Sequence, residues 1–299
     1  MDCGAVARLS RPGNNYHAAM SAISLPFRRP FLLAALALAA LPGCAPGRIG
    51  PAHSAWHAQL ERWAGVQALL LGEQHDVPAH QQWEADTVAW LAARGRLAAL
   101  VIEMAEAGAG TDGLPPGASE DQVRAALRWN EDAWPWQRYA APVMAAVAAG
   151  VPVRGGNLDS DALRAALRDE ALDTHLGADA LARQRRAIED GHCGLLPAAR
   201  VQPMVRVQLA RDASLARTLR QSLRPGRTAV LLAGYGHVQR SLGVPTWLGP
   251  DITAKVAIAG ENQARTAMKM EADWHQETPA APPVDHCAAL RARWPGAAR

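Results

Sequence analysis

The stretch Gln67-Ala-Leu-Leu-Leu-Gly-Glu-Gln-His-Asp-Val-Pro-Ala-His80 constrains the fold of this chain more than any other. An apolar run from Val66 to Leu71 stops at Gly72, and titratable side chains follow at once. The run has the length of a buried strand. Pro78 suits the first turn of a helix, and helical spacing continues to about Ala93. Glu73, His75, Asp76 and His80 are therefore predicted on the loop and helix start at the carboxyl end of a strand. That is where open α/β sheets place ligands.

The pattern recurs down the chain. Leu97 to Ile102 reads as a second strand with Glu103-Met104 after it, and Val151 to Asn157 as a third. Thr228 to Ala233 is the fourth, followed by Gly234-Tyr-Gly236-His237-Val238, and Thr253 to Ile258 is the last. Between them, Ser119-Glu-Asp-Gln122 resembles a capping box opening a helix to about Trp129. Further helices are expected up to Gly150, from Asp159 or Ser160 to about Asp173, over 180 to 190, and from Pro203 to about Leu223.

Helical spacing sorts the side chains. In the Pro78 helix, His80, Trp83, Thr87, Trp90 and Leu91 share one face. In the Pro203 helix, Val205, Leu209, Ala216, Leu219 and Leu223 form the buried stripe, with Gln208 and Asp212 inside it. A carboxylate facing a core needs a partner, because an isolated buried charge is costly. Asp212 should thus pair with an arginine or stand behind a functional group.

Charge excludes one class of partner. The net charge is only +3, the basic residues are almost all arginine with no lysine before Lys255, and acids are interspersed among them. Nucleic-acid binding is rejected on that distribution. The N-terminus points to export: Arg28-Arg29 precedes an apolar run from Phe31 to Leu41, and Leu41-Pro42-Gly43-Cys44 resembles a bacterial lipobox. The run is too short to span a bilayer. The expected organisation is an extension over 1–19, a signal from Met20 to residue 43, lipidation at Cys44, a tether over 44–55, a domain over 56–260 and a tail over 261–299, ordered at most around Cys287. With Cys3 upstream of the start and Cys44 lipidated, Cys193 and Cys287 remain in an oxidising compartment, and a Cys193–Cys287 disulfide is the hypothesis.

Three strand ends deliver Glu73 with His75, Glu103, and His237. Such a set suits either a divalent metal with polarised water or general acid/base work. Trp134-Pro-Trp136-Gln-Arg-Tyr139 adds a tyrosine among tryptophans that could wall a flat ligand.

Taken in order, Gly72-Glu73-Gln-His75-Asp76-x-Pro78-x-His80, Glu103-Met104, the Trp134–Tyr139 segment, Asn157, His192-Cys193-Gly194-x-x-Pro197, Gln208-x-x-x-Asp212 and Gly236-His237-Val238 through Gly243-Val244-Pro245 resemble the ChaN-like haem-binding lipoproteins. The similarity covers nearly all of residues 60 to 250. It implies an α/β fold, a mostly parallel sheet flanked by helices and intertwined with a helical subdomain. It also implies a lipid-anchored protein of haem or iron acquisition at the outer membrane, facing the periplasm or the surface. The partners implied are haem, the membrane, a second copy and an outer-membrane haem receptor. Haem needs an iron ligand, apolar walls and a cation for its propionates. Tyr139 with Trp136 and Arg138 answers this, and His75, His80 and His237 are alternative ligands. The wider Tiki and erythromycin-esterase-like superfamily contains hydrolases, so the alternative function is a metal-dependent or acid/base hydrolase using Glu73, His75, Glu103 and His237.

Overall fold

In the computed structural model, six strands form one parallel sheet: β1 (Ala68–Glu73), β2 (Leu97–Glu106), β3 (Val153–Asn157), β4 (Thr228–Gly234), β5 (Ala254–Glu261) and β6 (Trp274–Thr278). Their order is β3-β2-β4-β1-β5-β6, with every pairing parallel. The structure describes residues 51–261, 270–280, 282 and 285–293. The expected extension over 1–19, the signal over 20–43, Cys44 and the first part of the tether lie outside the described residues.

The apolar strands are buried on both sides, as parallel strands between helix layers must be. Leu69, Leu71, Leu100, Ile102, Val230 and Leu232 face one core, which also contains Trp56, Trp83, Leu91, Tyr139 and Val143. Their neighbours Leu70, Val101, Leu231 and Ala233 face the other, packed on Leu215, Leu219 and Val238. Along the chain the helices are α1 (Pro51–Arg62), α2 (Pro78–Ala93), α3 (Glu120–Ala126), α4 (Trp136–Ala148), α5 (Ser160–Ala166), α6 (Ala178–Gly191), α7 (Ala198–Gln221), α8 (Tyr235–Val238) and α9 (His286–Arg293). A smaller cluster of Leu176, Leu181, Val205, Leu209 and Leu242 forms a separate helical core beside the sheet.

Several boundaries differ from the sequence reading for definable reasons. β1 and β2 run on through Glu73 and Glu103, so these carboxylates sit in strand ends rather than after them. The helix expected to reach Asp173 stops at Ala166, and the Asp169 side chain caps a new 3-10 turn over Glu170–Thr174. α7 starts at Ala198 and passes through Pro203, which costs it one backbone bond near its beginning. α1 begins at Pro51, inside the expected tether. The tail expected to be ordered only around Cys287 contributes β6, an edge strand of polar residues that pairs with β5.

Candidate active site

Central strands β1, β4 and β2 end side by side, and the backbone there is built to bring side chains close. Glu73 closes β1 opposite Gly234 of β4. A Cβ on Gly234 would stand 2.8 Å from His75 Nε2, so glycine at this position lets the imidazole lie against the strand end. Gly72 is equally confined, by Val238 and the Tyr235 backbone. The register of β2 against β3 shifts between Ile102 and Glu106, and within that irregular stretch Glu103 turns its carboxylate to accept the Gly234 N–H at 2.8 Å. The Asn157 amide donates to the Glu103 carbonyl at 2.9 Å and ties β3 to the same point.

The side chains form one connected line. The Tyr139 hydroxyl donates to Glu73 Oε1 at 2.8 Å, and His75 Nδ1 lies 2.8 Å from that same oxygen. The other Glu73 oxygen accepts from the Gln81 amide. His75 Nε2 is 3.8 Å from Glu103 Oε2, and Glu103 Oε1 is 3.3 Å from His237 Nε2. His237 Nδ1 then meets Asp212 Oδ1 at 2.6 Å, with the Gln208 amide 3.0 Å from the ring. Apart from His75, whose side chain is 35% exposed, and the half-buried Gln208, the members of this line are buried.

Charge is distributed unevenly along it. Burial opposes a cation at His237, but the Glu103 and Asp212 carboxylates on its two nitrogens outweigh this and push its pKa up to about 10. His237 is an imidazolium. Burial would raise Glu103, yet His237, with His75 and the Gly234 N–H, holds it well below the usual carboxylate range. Burial dominates at Asp212 and pushes it up to about 6 against the pull of His237. At His75 burial is outweighed by the hydrogen bond to Glu73 and by Glu103, and the net shift is upward. Burial, with the Glu73 charge beside it, drives the Tyr139 hydroxyl far up. Glu84, fully buried on α2, is raised well above its ordinary value by burial and then by Glu73, and neither of its oxygens has a hydrogen-bond partner among the described residues.

Glu73, His75, Glu103 and His237 are therefore brought together, with Asp212 and Gln208 behind them. Asp212 pairs with a histidine of the site, not with an arginine. Other expectations are corrected. His80 is buried, its Nδ1 accepting the Gln74 N–H at 3.0 Å and its Nε2 lying 3.1 Å from Thr278 Oγ1, so it fastens the loop to β6 and presents no nitrogen to a ligand. Trp136 turns inward, donating its indole N–H to Glu120 at 2.8 Å, and the ring that packs on His75 is Trp134, at 4.8 Å between centroids. Tyr139 is buried with its hydroxyl committed to Glu73. Arg138 is exposed and donates to the His75 carbonyl at 3.0 Å. Among the described residues no group of three or more His, Cys, Asp or Glu side chains is arranged to hold a metal ion, so the alternative of a divalent metal on Glu73, His75, Glu103 and His237 is not supported. Cys193 and Cys287 are bonded, with 5.7 Å between their Cα atoms.

Tyr235 is the residue that sequence reasoning passed over. It follows Gly234 directly and is 40% exposed at the strand end that His75 lies against. The signal available was its place between Gly234 and Gly236, in a segment noted only for His237.

A family model described as haem-binding uptake, Tiki superfamily, ChaN matches residues 59–248. Among solved structures, the chain is similar to one titled as cofacial heme binding to ChaN of Campylobacter jejuni. The TM-score is 0.60 at 17% identity, over 73% of this chain and 89% of that one. No curated protein matches the sequence.

Proposed function

The chain belongs to the haem-binding uptake family of the Tiki superfamily that includes ChaN, and we propose that it is a lipid-anchored protein of the bacterial cell envelope that takes up haem at the carboxyl end of its sheet. The observation that carries this reading is that the exposed Tyr235 directly follows Gly234, the glycine against which the partly exposed His75 imidazole lies. Both are side chains that bind haem iron. Tyr139 does not fit that role, since its phenol is buried and spent on Glu73. Trp134 offers an aromatic wall next to His75, and Arg138 offers exposed guanidinium N–H groups for propionates.

Haem, when bound, would supply an iron centre that takes an imidazole or phenolate ligand, which His75 or Tyr235 would provide. The chain's own part is to hold and charge the surroundings. Glu73 accepts from His75 Nδ1 and fixes the ring orientation. The His237 imidazolium offsets the buried Glu103 and Asp212 carboxylates.

Lipid anchoring rests on Arg28-Arg29, the following apolar run and Leu41-Pro42-Gly43-Cys44. Among the described residues no helix is long and apolar enough to cross a membrane. A second copy covering the exposed ligand face and an outer-membrane haem receptor are the partners this function calls for.

Titration of the purified protein with haemin is the test. A Soret band should develop at micromolar haem and shift or weaken in Tyr235→Phe, while Tyr139→Phe keeps its position. No band in the wild-type protein would overturn the reading. In cells, Cys44→Ser should move the protein from the membrane to the soluble fraction.

A second reading, acid/base hydrolysis, is favoured by one observation: two imidazoles alternate with three carboxylates in a continuous line. Turnover of an ester or amide that disappears in Glu73→Gln would establish it.

A further inference from the structure

We infer that the C-terminal segment formed by β6 and α9 is a strap over the His75 side of the site, and that the Cys193–Cys287 disulfide is its latch, opened by a dithiol reductant. The inference rests on the site location proposed above, not on the identity of the ligand.

The family match ends at residue 248, and this segment lies beyond it. It is fastened to the rest of the chain at several points. Glu271 accepts from Arg183 of α6 at 2.8 Å and from both the backbone and the hydroxyl of Ser241, close to His237 in the chain. Asp273 pairs with Arg240 at 2.7 Å. Thr278 meets His80, whose other nitrogen holds the Gln74 N–H. Further on, His286 Nε2 lies 3.3 Å from Asp76 Oδ2, and the next residue, Cys287, is bonded to Cys193 at the end of α6. Two consecutive residues thus tie the loop carrying His75 to the turn that follows α6.

The two halves of the strap differ in strength. Glu271 and Thr278 are buried, so the β6 half belongs to the fold. The α9 half holds the rim through the His286–Asp76 pair and the disulfide. That ion pair is largely exposed, and exposed pairs contribute little in water. The covalent bond is therefore what keeps α9 against the loop. Both cysteines are partly exposed, within reach of a reductant. A thiolate of the dithiol attacks one sulfur and forms a mixed disulfide, and its second thiol then displaces the protein cysteine. Cys193 and Cys287 end as thiols, and the reductant ends as a disulfide with two electrons and two protons transferred.

The test uses the full chain without ligand. Site-resolved modification of His75 by diethyl pyrocarbonate, and amide exchange of residues 286–293, are compared in the oxidised protein, the reduced and alkylated protein, and Cys287→Ser. Opening should raise the His75 modification rate by about tenfold and free the α9 amides while β6 stays protected. Equal His75 rates in all three would overturn the inference. Loss of protection in β1 and β4 on reduction would do so as well, since the disulfide would then be a staple of the whole fold. A haemin titration of the same samples keeps the two questions apart. Absence of a Soret band throughout rejects haem binding, while His75 reactivity still decides the strap.

Discussion

His237 Nδ1 lies 2.6 Å from Asp212 Oδ1, and this buried pair fastens the segment after β4 to the middle of α7. Asp212→Ala leaves the imidazolium with Glu103 alone in a dry site. Removing one partner of a buried ion pair costs about 3 kcal/mol or more. A urea midpoint lowered accordingly, with Asp212→Asn losing less, is the expected outcome. An unchanged midpoint in Asp212→Ala would mean that water reaches His237.

The same groups set the pH range of stability. His237 has a folded pKa raised from 6.5 to about 10, so its contribution is fully present below pH 6.5 and is lost as pH rises through about 10. Glu103 has a depressed folded pKa, so its contribution is present above 4.5 and is lost as pH falls below that value. From these two groups, melting temperature should be highest between about pH 4.5 and 6.5. His237→Gln should flatten the alkaline limb and leave the acid limb from Glu103 visible, though shallower. A steep alkaline limb retained in that variant would assign the effect elsewhere.

Gly234→Ala tests close packing directly. The backbone at Gly234 has φ −53°, which any residue adopts, so the cost comes from the methyl group meeting His75 Nε2 at 2.8 Å. Forcing such a contact costs roughly 1–3 kcal/mol. A lowered melting temperature should accompany weakened ligand binding, because the ring that moves is the exposed member of the line. Wild-type binding in Gly234→Ala would show that His75 is dispensable.

The two tyrosines should separate stability from binding. Tyr139→Phe removes a buried hydrogen bond to Glu73, whose oxygen keeps His75 Nδ1, and such a bond contributes about 1.5 kcal/mol. Tyr235→Phe removes an exposed hydroxyl and should change stability by less than about 0.5 kcal/mol. Denaturation of both variants beside the haemin spectra checks the contrast, and equal destabilisation would contradict it.

What could be read from the sequence follows from which forces are local. The strands were legible because Leu69 to Leu71 and Val230 to Leu232 are apolar on both faces, and Asp212 was placed in the core by helical spacing alone. β6 was not legible, because Trp274-His-Gln-Glu-Thr278 has no apolar run and owes its place to pairing with β5. His80 looked like a ligand because one residue type serves both metals and hydrogen-bonded cores. Only its contacts with Gln74 and Thr278, the latter 198 residues away, decide between them. Tyr235 and Tyr139 exchange roles for the same reason: burial is set by packing on α2 and β1, and no spacing rule within either segment encodes it.

Glu84 offers the sharpest test of the buried floor of the site. Its carboxyl is 0% exposed, has no hydrogen-bond partner among the described residues, and stands near the Glu73 charge. Burial first, then Glu73, raises its folded pKa well above 4.5, so the folded state holds a proton that the unfolded chain releases above that pH. The sign follows: stability falls as pH rises from 4.5 toward the folded pKa, and the loss continues until that value is passed. Glu84→Gln keeps the size and remains neutral at every pH, so this part of the slope should vanish and the variant should be more stable than wild type at pH 8. Urea midpoints at pH 5 and pH 8 measure it. Equal slopes in the two proteins would show that Glu84 does not hold that proton.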